Sequence, residues 1–452
     1  MEIVRFRHEG LGNTAYLVEV GPGRAVAIDQ DRRIGRQLET AAGRGWDIVA
    51  SLDTHVHADF VTGSLELRAR AGAEVYLPEE AGAAFPHRGV TAGQRLEIGD
   101  VEVEALPTPG HTPEHLSFVV RGADGSPPAL FSGGALMAGG AARTDLISPD
   151  MTEQLTRDQF RTLHRAFESL PDETALYPTH GGGSFCSVGT GDGAEATTLG
   201  AERGTNPLIA MRDEDEFVRW WPTTFPGAPS YFFRLRAVNL AGPRLVGEIP
   251  PPVAHDPAAF ERARADGALV VDVREPEAYA AGHVPGSLAI HFRDAFATWL
   301  GWLAPADASL LLVTDGAPLD RVVEEAQLVG YERVVGYLDG GLEAWRAGGL
   351  PVSTLDLVDA DRTHALLADG AVPLDVREPD EWDGGTIAGA TTLPLGGLEA
   401  SVQELPSDRP ILTYCSAGER SVTAASILEQ FGIEPVATLA GGYGAWRRAG
   451  RD

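Results

Sequence analysis

The sequence predicts a multidomain α/β protein: a two-sheet sandwich flanked by helices, followed by two tandem domains with parallel sheets. Its 452 residues are too many for one typical domain, since domains average roughly 150 residues. The segment 271–276 recurs 103 residues later as 374–379, and the segment 340–345 recurs 101 residues later as 441–446. Because these motifs lie at opposite ends of the repeated unit, the repeat predicts two domains of about 100 residues each.

The first 240 residues predict the sandwich because short strand-like runs with turn signals alternate with helical patterns. Strands are expected at 14–20, 25–29, 74–77, 95–106 and 116–120, and helices at 33–43 and 157–170. Bulky aromatics and three prolines break any regular period between 219 and 233. This composition favours core packing at the end of the domain over a lid above a substrate pocket.

The predicted domain boundaries follow from a proline-rich linker and from the spacing of the repeat. Three consecutive prolines at 250–252 deny backbone donors and favour an extended course. In each repeat a strand-like run is followed by turns, a second strand and a helical pattern, which indicates a parallel α/β sheet. We therefore expect a sandwich over 1–249, an α/β domain over 250–355 and a second α/β domain over 356–452.

The charge and the cysteine content exclude several classes of partner and scaffold. The formal net charge of −29 repels phosphate backbones and anionic lipid surfaces, so neither nucleic acid nor a membrane is an expected partner. Two cysteines are too few for a disulfide scaffold and fit a reducing compartment. No signal peptide or transmembrane run is recognisable, so we expect a cytoplasmic protein, with a homodimer as the commonest symmetric assembly.

Four histidines in loops of the first domain form a candidate metal site. His55 and His57 follow an apolar strand-like run, and Asp59 lies two residues further on. His111 and His180 lie in glycine- and proline-rich loops after two other apolar runs. Sites are often built in loops at strand ends, and imidazoles with a carboxylate at this spacing can ligate a metal directly or orient its ligands.

The first 240 residues resemble the metallo-β-lactamase superfamily, and more closely the persulfide dioxygenases that are fused to rhodanese domains. The resemblance rests on THVHAD at 54–59, PGHTPEH at 109–115, YPTHGGGS at 177–184 and TNP at 205–207. It implies an αββα sandwich that holds one Fe(II), with His55 and His111 as ligands, and that uses O₂ to oxidise a thiol persulfide to sulfite. The third ligand of that family is an aspartate, and its position falls on Gly134, which has no ligand atom.

The missing carboxylate leaves several readings of this domain open. Either His57 completes a three-histidine site, or Asp59 or water fills the position, or the domain binds thiol persulfides or proteins without catalysis. Zinc is the alternative metal, and a zinc thioester hydrolase similar to glyoxalase II is the alternative enzyme. A hydrolase of that type would need an aspartate and a histidine where Gly134 and Phe60 stand. Cys186 is expected to be either a small buried residue or a contact for substrate sulfur.

A second candidate site lies near the carboxyl terminus, where Cys415 follows an apolar strand and precedes a predicted helix. Backbone amides at the start of that helix, together with Arg420, favour the thiolate, which is the nucleophilic form. Four residues separate the cysteine from the arginine, a shorter spacing than in cysteine phosphatases. The shorter loop fits sulfur better than phosphate.

With the DVREP motif at 375–379 and the glycine pair and tryptophan at 441–446, this stretch is similar to a single-domain rhodanese. The resemblance implies that Cys415 carries sulfane sulfur as a persulfide, with Arg420 beside it. The loop residues expected to cradle the anionic donor are Ser416, Ala417, Gly418 and Glu419. The implied substrates are a low-molecular-weight thiol persulfide, thiosulfate and sulfite.

In the first repeat, LVTDG at 312–316 matches the cysteine loop, and Asp315 is expected at the position of Cys415. That repeat is therefore predicted to be a structural or docking copy without sulfur chemistry. Chains with a dioxygenase-like domain, an inactive rhodanese and an active rhodanese are known as sulfide-detoxifying fusions. That order of domains accounts for all 452 residues.

Overall fold

The computed structural model describes residues 1–122, 125–189, 197–406 and 408–450, and the chain divides into two compact units. The first unit contains residues 1–249 and 327–330, and the second contains residues 250–326 and 331–452. Within the described ranges no helix combines the length and the apolar character that crossing a bilayer requires.

Two six-stranded sheets form the frame of the first unit. Its strands are β1 (Ile3–His8), β2 (Asn13–Glu19), β3 (Arg24–Ile28), β4 (Asp47–Leu52), β5 (Glu74–Pro78), β6 (Arg88–Val90), β7 (Arg95–Ile98), β8 (Val101–Pro107), β9 (Leu116–Gly122), β10 (Ala129–Gly133), β11 (Gly140–Ala142), β12 (Ala175–Pro178), β13 (Ser187–Gly189) and β14 (Thr197–Thr198). The sheet orders are β1-β2-β3-β4-β5-β6 and β14-β12-β10-β9-β8-β7, and β11 pairs separately with β13. Strands β3 to β6 run parallel, whereas β7 to β10 form an antiparallel meander.

The two sheets pack face to face because alternate residues of their strands point into one apolar core. Tyr16 and Val18 of β2 share this core with Phe118 and Val120 of β9. The intervening Leu17 belongs to a second cluster on the outer face of its sheet. Side chains alternate across a strand with a period of two, so both faces of β2 are apolar and both must be covered.

Helices cover the outer face of each sheet. They are α1 (Gly35–Arg44), α2 (Ser64–Ala71), α3 (Pro149–Arg161), α4 (Leu199–Thr205), α5 (Pro207–Ala210), α6 (Glu214–Trp220) and α7 (Phe232–Ala241). Ala41 of α1 and Leu67 of α2 pack on the first sheet, and Phe160 of α3 packs on the second. This arrangement confirms the predicted αββα sandwich.

Two predicted elements of this unit differ from the observed ones. The run 95–106 is a hairpin of β7 and β8, because Gly99 adopts a φ of 64° at a tight turn between them. Helix α3 begins at Pro149, before the predicted start at 157, since proline is favoured at the first helical position. In the aromatic segment, Trp221 and Tyr231 are buried, as the core-packing prediction requires, although Trp220 is 44% exposed.

Each repeat of the second unit contains a five-stranded parallel sheet. The strands are β15 (Val253–His255), β16 (Leu269–Asp272), β17 (Leu288–Ala289), β18 (Leu310–Val313), β19 (Val334–Leu338), β20 (Asp356–Val358), β21 (Val372–Asp375), β22 (Thr391–Thr392), β23 (Ile411–Tyr414) and β24 (Val436–Leu439). The orders are β15-β19-β18-β16-β17 and β20-β24-β23-β21-β22, so the second sheet repeats the topology of the first. The ladders of both sheets are parallel, which confirms the predicted architecture.

Helices pack around both parallel sheets. They are α8 (Pro257–Ala265), α9 (Pro276–Ala281), α10 (Phe296–Leu303), α11 (Leu319–Leu328), α12 (Gly341–Ala347), α13 (Ala360–Ala368), α14 (Pro379–Trp382), α15 (Leu398–Ser401), α16 (Glu419–Gln430) and α17 (Gly442–Arg448). The DVREP motif closes the end of a central strand in each repeat through a buried ion pair. Arg274 donates to Asp272 at 2.8 Å, and Arg377 donates to Asp375 at 2.8 Å.

Candidate functional site

Loops that follow strands of both sandwich sheets bring the predicted metal-site residues together in the first unit. His55, His57 and Asp59 follow β4, His111 follows β8 and His180 follows β12. Each of the five is only 1% exposed. The ring centroids of His55, His111 and His180 lie 4.9, 5.3 and 5.2 Å apart, pair by pair. The structure thus places these residues in one buried cluster.

Oxygen acceptors hold two of these imidazoles in one tautomer. His111 Nδ1 lies 2.7 Å from the carbonyl oxygen of Arg143, which can only accept a hydrogen bond. His180 Nδ1 lies 3.1 Å from Asn13 Oδ1 and 3.2 Å from Asp59 Oδ2. Both rings therefore carry their proton on Nδ1 and leave Nε2 bare, which is the arrangement that partners of metal-ligating histidines usually impose.

A hydrogen-bonded chain imposes the same tautomer on His55. Thr54 Oγ1 donates to Asp29 Oδ2 at 2.9 Å, so the hydroxyl proton is already used. The same oxygen lies 2.9 Å from His55 Nδ1 and must accept that N–H. Asp29 is therefore an outer partner of the cluster, acting through a threonine hydroxyl.

Two of the three bare Nε2 atoms lie at a distance that fits one shared metal ion. The Nε2 atoms of His55 and His180 lie 3.3 Å apart, and two lone pairs at this distance repel unless a cation or a proton lies between them. Two nitrogens bound to one tetrahedral zinc at about 2.0–2.1 Å are about 3.3–3.4 Å apart. His111 Nε2 is buried without a hydrogen-bond partner in the described part of the chain. His55 and His180 would therefore share the ion, and the unpartnered Nε2 of His111, whose ring lies beside both, is the candidate third ligand.

Burial keeps the rings of His55 and His111 in the neutral, ligating form. Burial and then the neighbouring histidines, His180 first, lower the pKa of His111 to about 3. Burial and neighbouring histidines also hold the pKa of His55 well below its usual value. A neutral imidazole binds a metal without first releasing a proton.

His57 differs from the other three because a carboxylate contacts it. Its Nε2 lies 3.2 Å from Asp29 Oδ1, and although burial alone would lower the pKa of His57, Asp29 raises it. Its Nδ1 is buried and, among the described residues, has no hydrogen-bond partner. Ligand atoms of His55, His57 and His180 lie within 4.8 Å of one another. A three-histidine site that includes His57 stays a prediction with which this geometry agrees.

Asp29 and His115 belong to the cluster although the sequence did not single them out. Asp29 follows β3, has a φ of 51° and accepts hydrogen bonds from the amide of Thr54 at 2.7 Å and from the hydroxyl of Thr179. A positive φ in a residue other than glycine is a strained conformation that collects at functional sites. The available signal was an acidic residue at the end of an apolar strand.

His115 forms a wall of the cluster and not a ligand. The amide of Gly134 donates to His115 Nε2 at 3.1 Å. The opposite nitrogen, Nδ1, then carries the proton and lies 2.8 Å from Thr108 Oγ1. Both ring nitrogens are occupied, and the ring stacks on His55 with centroids 4.8 Å apart. The sequence signal was its place in the motif at 109–115.

Gly134 lies against two of the candidate ligands but offers no donor to them. A Cβ built on it would lie 2.9 Å from His111 Cδ2 and 3.1 Å from His180 Cδ2. It would also lie 2.8 Å from the Cβ of Ala142, so this methyl group takes part of the space that a larger side chain would need. Phe60 stacks on His57 with ring centroids 4.3 Å apart and supplies no ligand either.

Asp59 and Cys186 lie on the same side of the cluster. Asn13 Nδ2 donates to Asp59 Oδ2 at 2.7 Å, and this carboxylate also contacts His180 Nδ1. Although burial would raise the pKa of Asp59, His180 lowers it, so the group is charged and suited to orient that ring. Cys186 is fully buried, and its sulfur, with ligand atoms of His111 and His180, falls within one 4.8 Å group. Burial, and then Asp59, raises the pKa of the Cys186 thiol.

The second predicted site lies in the second unit, between β23 and α16. Cys415 follows the last residue of β23, and the amide of Gly418 donates to its sulfur at 3.1 Å. The hydroxyl of Ser421, in the first turn of α16, lies 3.8 Å from the same sulfur. Gly418 has a φ of 118°, which turns the chain into the helix. The sulfur is buried, at 1% exposure of the residue, and it contacts polar groups at a helix start.

Arg420 is held by a carboxylate that the sequence did not single out. Its two terminal nitrogens donate to Glu381 at 2.7 and 2.8 Å, a two-bond contact between planar groups. Ser416 also donates to Glu381. Burial alone would raise the pKa of Glu381, but the hydrogen bonds from Arg420 and Ser416 lower it to about 2. Of the other predicted loop residues, Ala417 is exposed and Glu419 lies 3.6 Å from Arg293.

The start of α17 forms hydrogen bonds with the backbone of the cysteine loop. The amide of Tyr443 donates to the carbonyl of Cys415 at 2.6 Å, and the amide of Gly444 donates to the carbonyl of Ser416 at 3.1 Å. Gly442 has a φ of 58°, and a Cβ on it would lie 2.3 Å from the Cys415 carbonyl oxygen. The glycine pair of the repeated motif therefore allows the helix to approach the loop closely.

The parallel ladders place Thr314, and not Asp315, at the position of Cys415. The last residues of β18 and β23 are Val313 and Tyr414, and each pairs with the aspartate of the DVREP motif in its own sheet. The next residue is a threonine in the first repeat and the cysteine in the second. The expectation for Asp315 is wrong by one position, because the offset between the repeats shortens from 103 to 101 before this loop.

The first repeat lacks the other members of the site as well. At the same offsets, Leu319 stands at the position of Arg420 and Ala278 at the position of Glu381. The nucleophile, the cation and its carboxylate partner are thus absent together. This joint absence agrees with the prediction that the first repeat carries no sulfur.

Comparison with known proteins identifies both units. The family described as "Rhodanese-like domain" matches residues 256–348 and 359–449. A hydroxyacylglutathione hydrolase of Polaromonas sp. (strain JS666 / ATCC BAA-500) is 36% identical over 168 residues, which are 35% of this chain and 57% of that protein. The chain thus spans little more than half of this curated relative.

Two solved structures extend the comparison. The crystal structure of a metallo-β-lactamase from Staphylococcus aureus subsp. aureus COL matches 74% of this chain and 98% of its own, with a TM-score of 0.67 and 27% identity. The crystal structure of ETHE1 from Myxococcus xanthus matches 53% of this chain and 99% of its own, with a TM-score of 0.46 and 27% identity. Residues 256–348 and 359–449 therefore belong to the rhodanese-like domains, and the region before them has the metallo-β-lactamase fold.

Proposed function

We propose that this chain is an enzyme of sulfane-sulfur metabolism that transfers sulfur through Cys415. The observation that carries the proposal is the contact of 3.1 Å between the Cys415 sulfur and the Gly418 amide at the start of α16. Amide donors and a helix start favour an anionic sulfur, and the thiolate is the attacking form. The two rhodanese-like matches support sulfur transfer as the class of reaction.

The proposed reaction has two steps, and in each a sulfur atom moves without its bonding pair. The Cys415 thiolate attacks the outer sulfur of thiosulfate, the sulfur–sulfur bond breaks, and sulfite leaves with the electron pair. With a thiol persulfide as donor, the leaving group is the thiolate of the carrier. An acceptor such as cyanide then attacks the outer sulfur of the Cys415 persulfide, which gives thiocyanate and restores the thiolate.

The residues of the loop bind and orient in this scheme. The Gly418 amide stabilises negative charge on the sulfur before attack and after release. Arg420 and Ser416, which share Glu381, would contact the donor in this scheme. Tyr443 fixes the Cys415 carbonyl, so the loop is arranged before the donor arrives.

For the first unit we propose binding and oxidation of a low-molecular-weight thiol persulfide at the histidine cluster. His55, His111 and His180 would hold one ion, Fe(II) on the resemblance and zinc as the alternative. An iron ion there would supply binding positions for sulfur and dioxygen, and the four electrons that reduce O₂ would come from the sulfane sulfur as it becomes sulfite. Asp29, Thr54, Asn13 and Asp59 orient the rings through their Nδ1 atoms. Fusion of both units in one chain raises the local concentration of a persulfide that both use.

A thioester hydrolase is the second candidate because the matched relative is named as a hydroxyacylglutathione hydrolase. Two-metal hydrolysis needs ligands for a second ion. Gly134 supplies no atom, and Phe60 presents a hydrocarbon ring against His57. We therefore rank hydrolysis below persulfide oxidation.

Thiocyanate formation from thiosulfate and cyanide tests the sulfur-transfer proposal. Cys415→Ser is expected to abolish activity, because serine is not a nucleophile of comparable strength in this loop. Cys186→Ser is the matched control, since these are the two cysteines of the chain, and it is expected to retain activity. Full activity in Cys415→Ser would remove the assignment.

Elemental analysis with oxygen uptake on glutathione persulfide tests the proposal for the first unit. Stoichiometric iron with oxygen consumption is the expected result. A zinc-loaded protein that cleaves S-lactoylglutathione would establish the second candidate instead. A metal-free protein that binds the persulfide unchanged would make this unit a binding module.

A further inference from the structure

The side of the histidine cluster at Gly134 lacks a charged donor. The carboxylate that the resemblance implies there would have brought one negative charge to His111 and His180. Gly134 brings none, although its Cα lies close enough for a Cβ to be 2.9 and 3.1 Å from those two rings. Three neutral imidazoles alone would leave a divalent ion with its full double charge in a buried site, which is costly.

Cys186 is a second neighbour of the same two histidines. Its sulfur and ligand atoms of His111 and His180 lie within 4.8 Å of one another. The cysteine is 0% exposed and lies six residues beyond His180 in the chain. His111 Nε2, itself buried, has no hydrogen-bond partner within the described ranges. An unpartnered nitrogen and a thiol at this distance fit two ligands of one metal ion.

The backbone fixes Cys186 in this position. The amide of Arg143 donates to the Cys186 carbonyl at 2.9 Å, and the Cys186 amide donates to Ser184 Oγ at 3.2 Å. The next residue begins β13, which pairs with β11 so that Ser187 lies opposite Ala142. The amide of Ala142 in turn donates to the Gly134 carbonyl at 2.8 Å. The pair of short strands β11 and β13 therefore positions both Ala142, whose methyl group lies beside Gly134, and Cys186.

We propose that Cys186 is a metal ligand of the histidine cluster, whose thiolate supplies the charge that Gly134 cannot. The inference rests on the proposed metal binding by His55, His111 and His180, but not on any particular reaction. When the ion binds, the sulfur–hydrogen bond breaks, the proton passes to solvent, and the sulfur's electron pair forms the bond to the metal. No electron is transferred.

The donor set determines the class of ion. Imidazole and thiolate suit Zn²⁺ and Fe²⁺, whereas Mg²⁺ and Ca²⁺ prefer oxygen. The polar surroundings of the sulfur, with Asp59 and His180 as neighbours, also differ from those of a cysteine that merely fills apolar space. Asp59 orients His180 and so remains outside the direct ligand set.

Replacement of the native ion by Co²⁺ in the full-length protein tests the proposal. A thiolate bound to Co²⁺ gives a near-ultraviolet charge-transfer band, whereas nitrogen and oxygen ligands do not. The band is expected in the wild-type protein and in Cys415→Ser, and it is expected to be absent in Cys186→Ser. Metal affinity in Cys186→Ser is expected to fall by more than the roughly 10- to 100-fold typical of losing an outer partner.

X-ray absorption of the zinc-loaded wild-type protein gives a readout that needs no variant. A sulfur neighbour at about 2.3 Å from zinc is expected. A zinc ion surrounded only by nitrogen and oxygen would overturn the proposal, and so would an unchanged cobalt band in Cys186→Ser. Circular dichroism of Cys186→Ser and Cys186→Ala checks that loss of the band does not reflect unfolding.

The outcomes separate this inference from the proposed function. If the metal is bound to sulfur but the iron-loaded protein takes up no oxygen, persulfide oxidation is refuted and Cys186 remains a ligand. A wild-type protein that takes up neither Co²⁺ nor Zn²⁺ would refute both the ligand assignment and the metal-dependent function. Thiocyanate formation by Cys415, measured on the same preparation, is independent of each result.

Discussion

At the scale of single residues, Glu381 determines how much positive charge the cysteine loop presents to a donor. Its carboxylate accepts hydrogen bonds from both terminal nitrogens of Arg420 and from the hydroxyl of Ser416. Because the pKa of Glu381 is lowered to about 2, this charge persists at any pH at which the enzyme would work. If Arg420 binds the donor as proposed, its charge is already largely neutralised, which would disfavour the dianion thiosulfate relative to a thiol persulfide.

Glu381→Gln is expected to raise kcat/KM for thiosulfate by roughly three- to tenfold while changing kcat/KM for a thiol persulfide less. The amide keeps the shape and removes the charge, so Arg420 attracts the dianion more strongly. Steady-state kinetics with both donors measures the effect. Asp380→Asn is the matched control, because it removes an equal charge from the neighbouring exposed residue. Equal losses with both donors would show instead that Glu381 only positions Arg420.

The residues that sequence reasoning found are those whose local motif is enough to identify them. Cys415, His55 and His111 lie in short runs with strong spacing signals. Glu381 and Asp29 lie far in sequence from the groups they bind, 39 and 25 residues respectively, and only the fold brings the partners together. A single sequence contains no local pattern that identifies such long-range pairs.

At the scale of secondary structure, the cysteine loop depends on the close approach of α17. Two amides at the start of that helix hold the carbonyls of Cys415 and Ser416. The approach is possible because Gly442 has no side chain at a φ of 58°. The first repeat has the same geometry at Gly341, with a φ of 60°, but there a Cβ would meet the exposed side chain of Asp315 instead of the backbone.

Gly442→Ala is expected to lower thiocyanate formation by roughly 100-fold, because a Cβ against the Cys415 carbonyl displaces the loop by a sizeable fraction of an ångström or more. Gly341→Ala is the matched control. Both variants bear the cost of a left-handed conformation, about 1–2 kcal/mol, so both should lose stability. Only Gly442→Ala should also lose activity by the expected factor, whereas Gly341→Ala should keep most of its activity. Equal activities of the two variants would mean that α17 does not set the loop geometry.

The element boundaries show where pattern reasoning stops. The run 95–106 alternates apolar and polar residues on both sides of Gly99 and Asp100, so two strands were predicted as one. The turn is fixed by a long-range contact, because the amide of Asp100 donates to the carbonyl of Val20 at 2.6 Å. Likewise, the change of repeat offset that moves Thr314 to the cysteine position is visible only in the sheet register.

At the scale of the whole molecule, the two repeats of the second unit share an interface built on α16. Val422 of this helix packs with Tyr279 and Ala289 of the first repeat. Glu429 lies 2.8 Å from His283, whose other nitrogen lies 2.9 Å from a backbone carbonyl. Both ring nitrogens of His283 therefore face oxygen atoms, one in each repeat.

Glu429→Gln is expected to lower the Tm of the second unit by roughly 2–4 °C near neutral pH, since the hydrogen bond between His283 and the Glu429 carboxylate contributes about 1 kcal/mol. Burial alone would raise the pKa of Glu429, but His283 lowers it. A lowered folded-state pKa contributes stability above the unfolded value, and this is lost as the pH falls through the folded value. The difference from wild type should therefore decrease as the pH falls below about 4 and vanish below the lowered folded-state pKa of Glu429.

Thermal unfolding followed across the acid range measures this effect. Glu404→Gln, at an exposed position, is the matched control and should change the Tm little at any pH. A Tm difference for Glu429→Gln that stays constant down to the lowest pH would show that the charge does not contribute. The sequence predicted the two repeats and their sheets. It could not predict this interface, because the apolar faces of α9 and α16 fit a separate core equally well.

Helix α16 also connects the repeat without a cysteine to the repeat that contains Cys415. Its first turn carries Ser421 beside the reactive sulfur, while its flank rests on Tyr279 and Ala289. If Cys415 transfers sulfur as proposed, selection for that activity also acts on a repeat that has no cysteine of its own. In related sequences, substitutions should accumulate freely in the loop around Thr314. They should be rare at the surface of the first repeat that packs against α16.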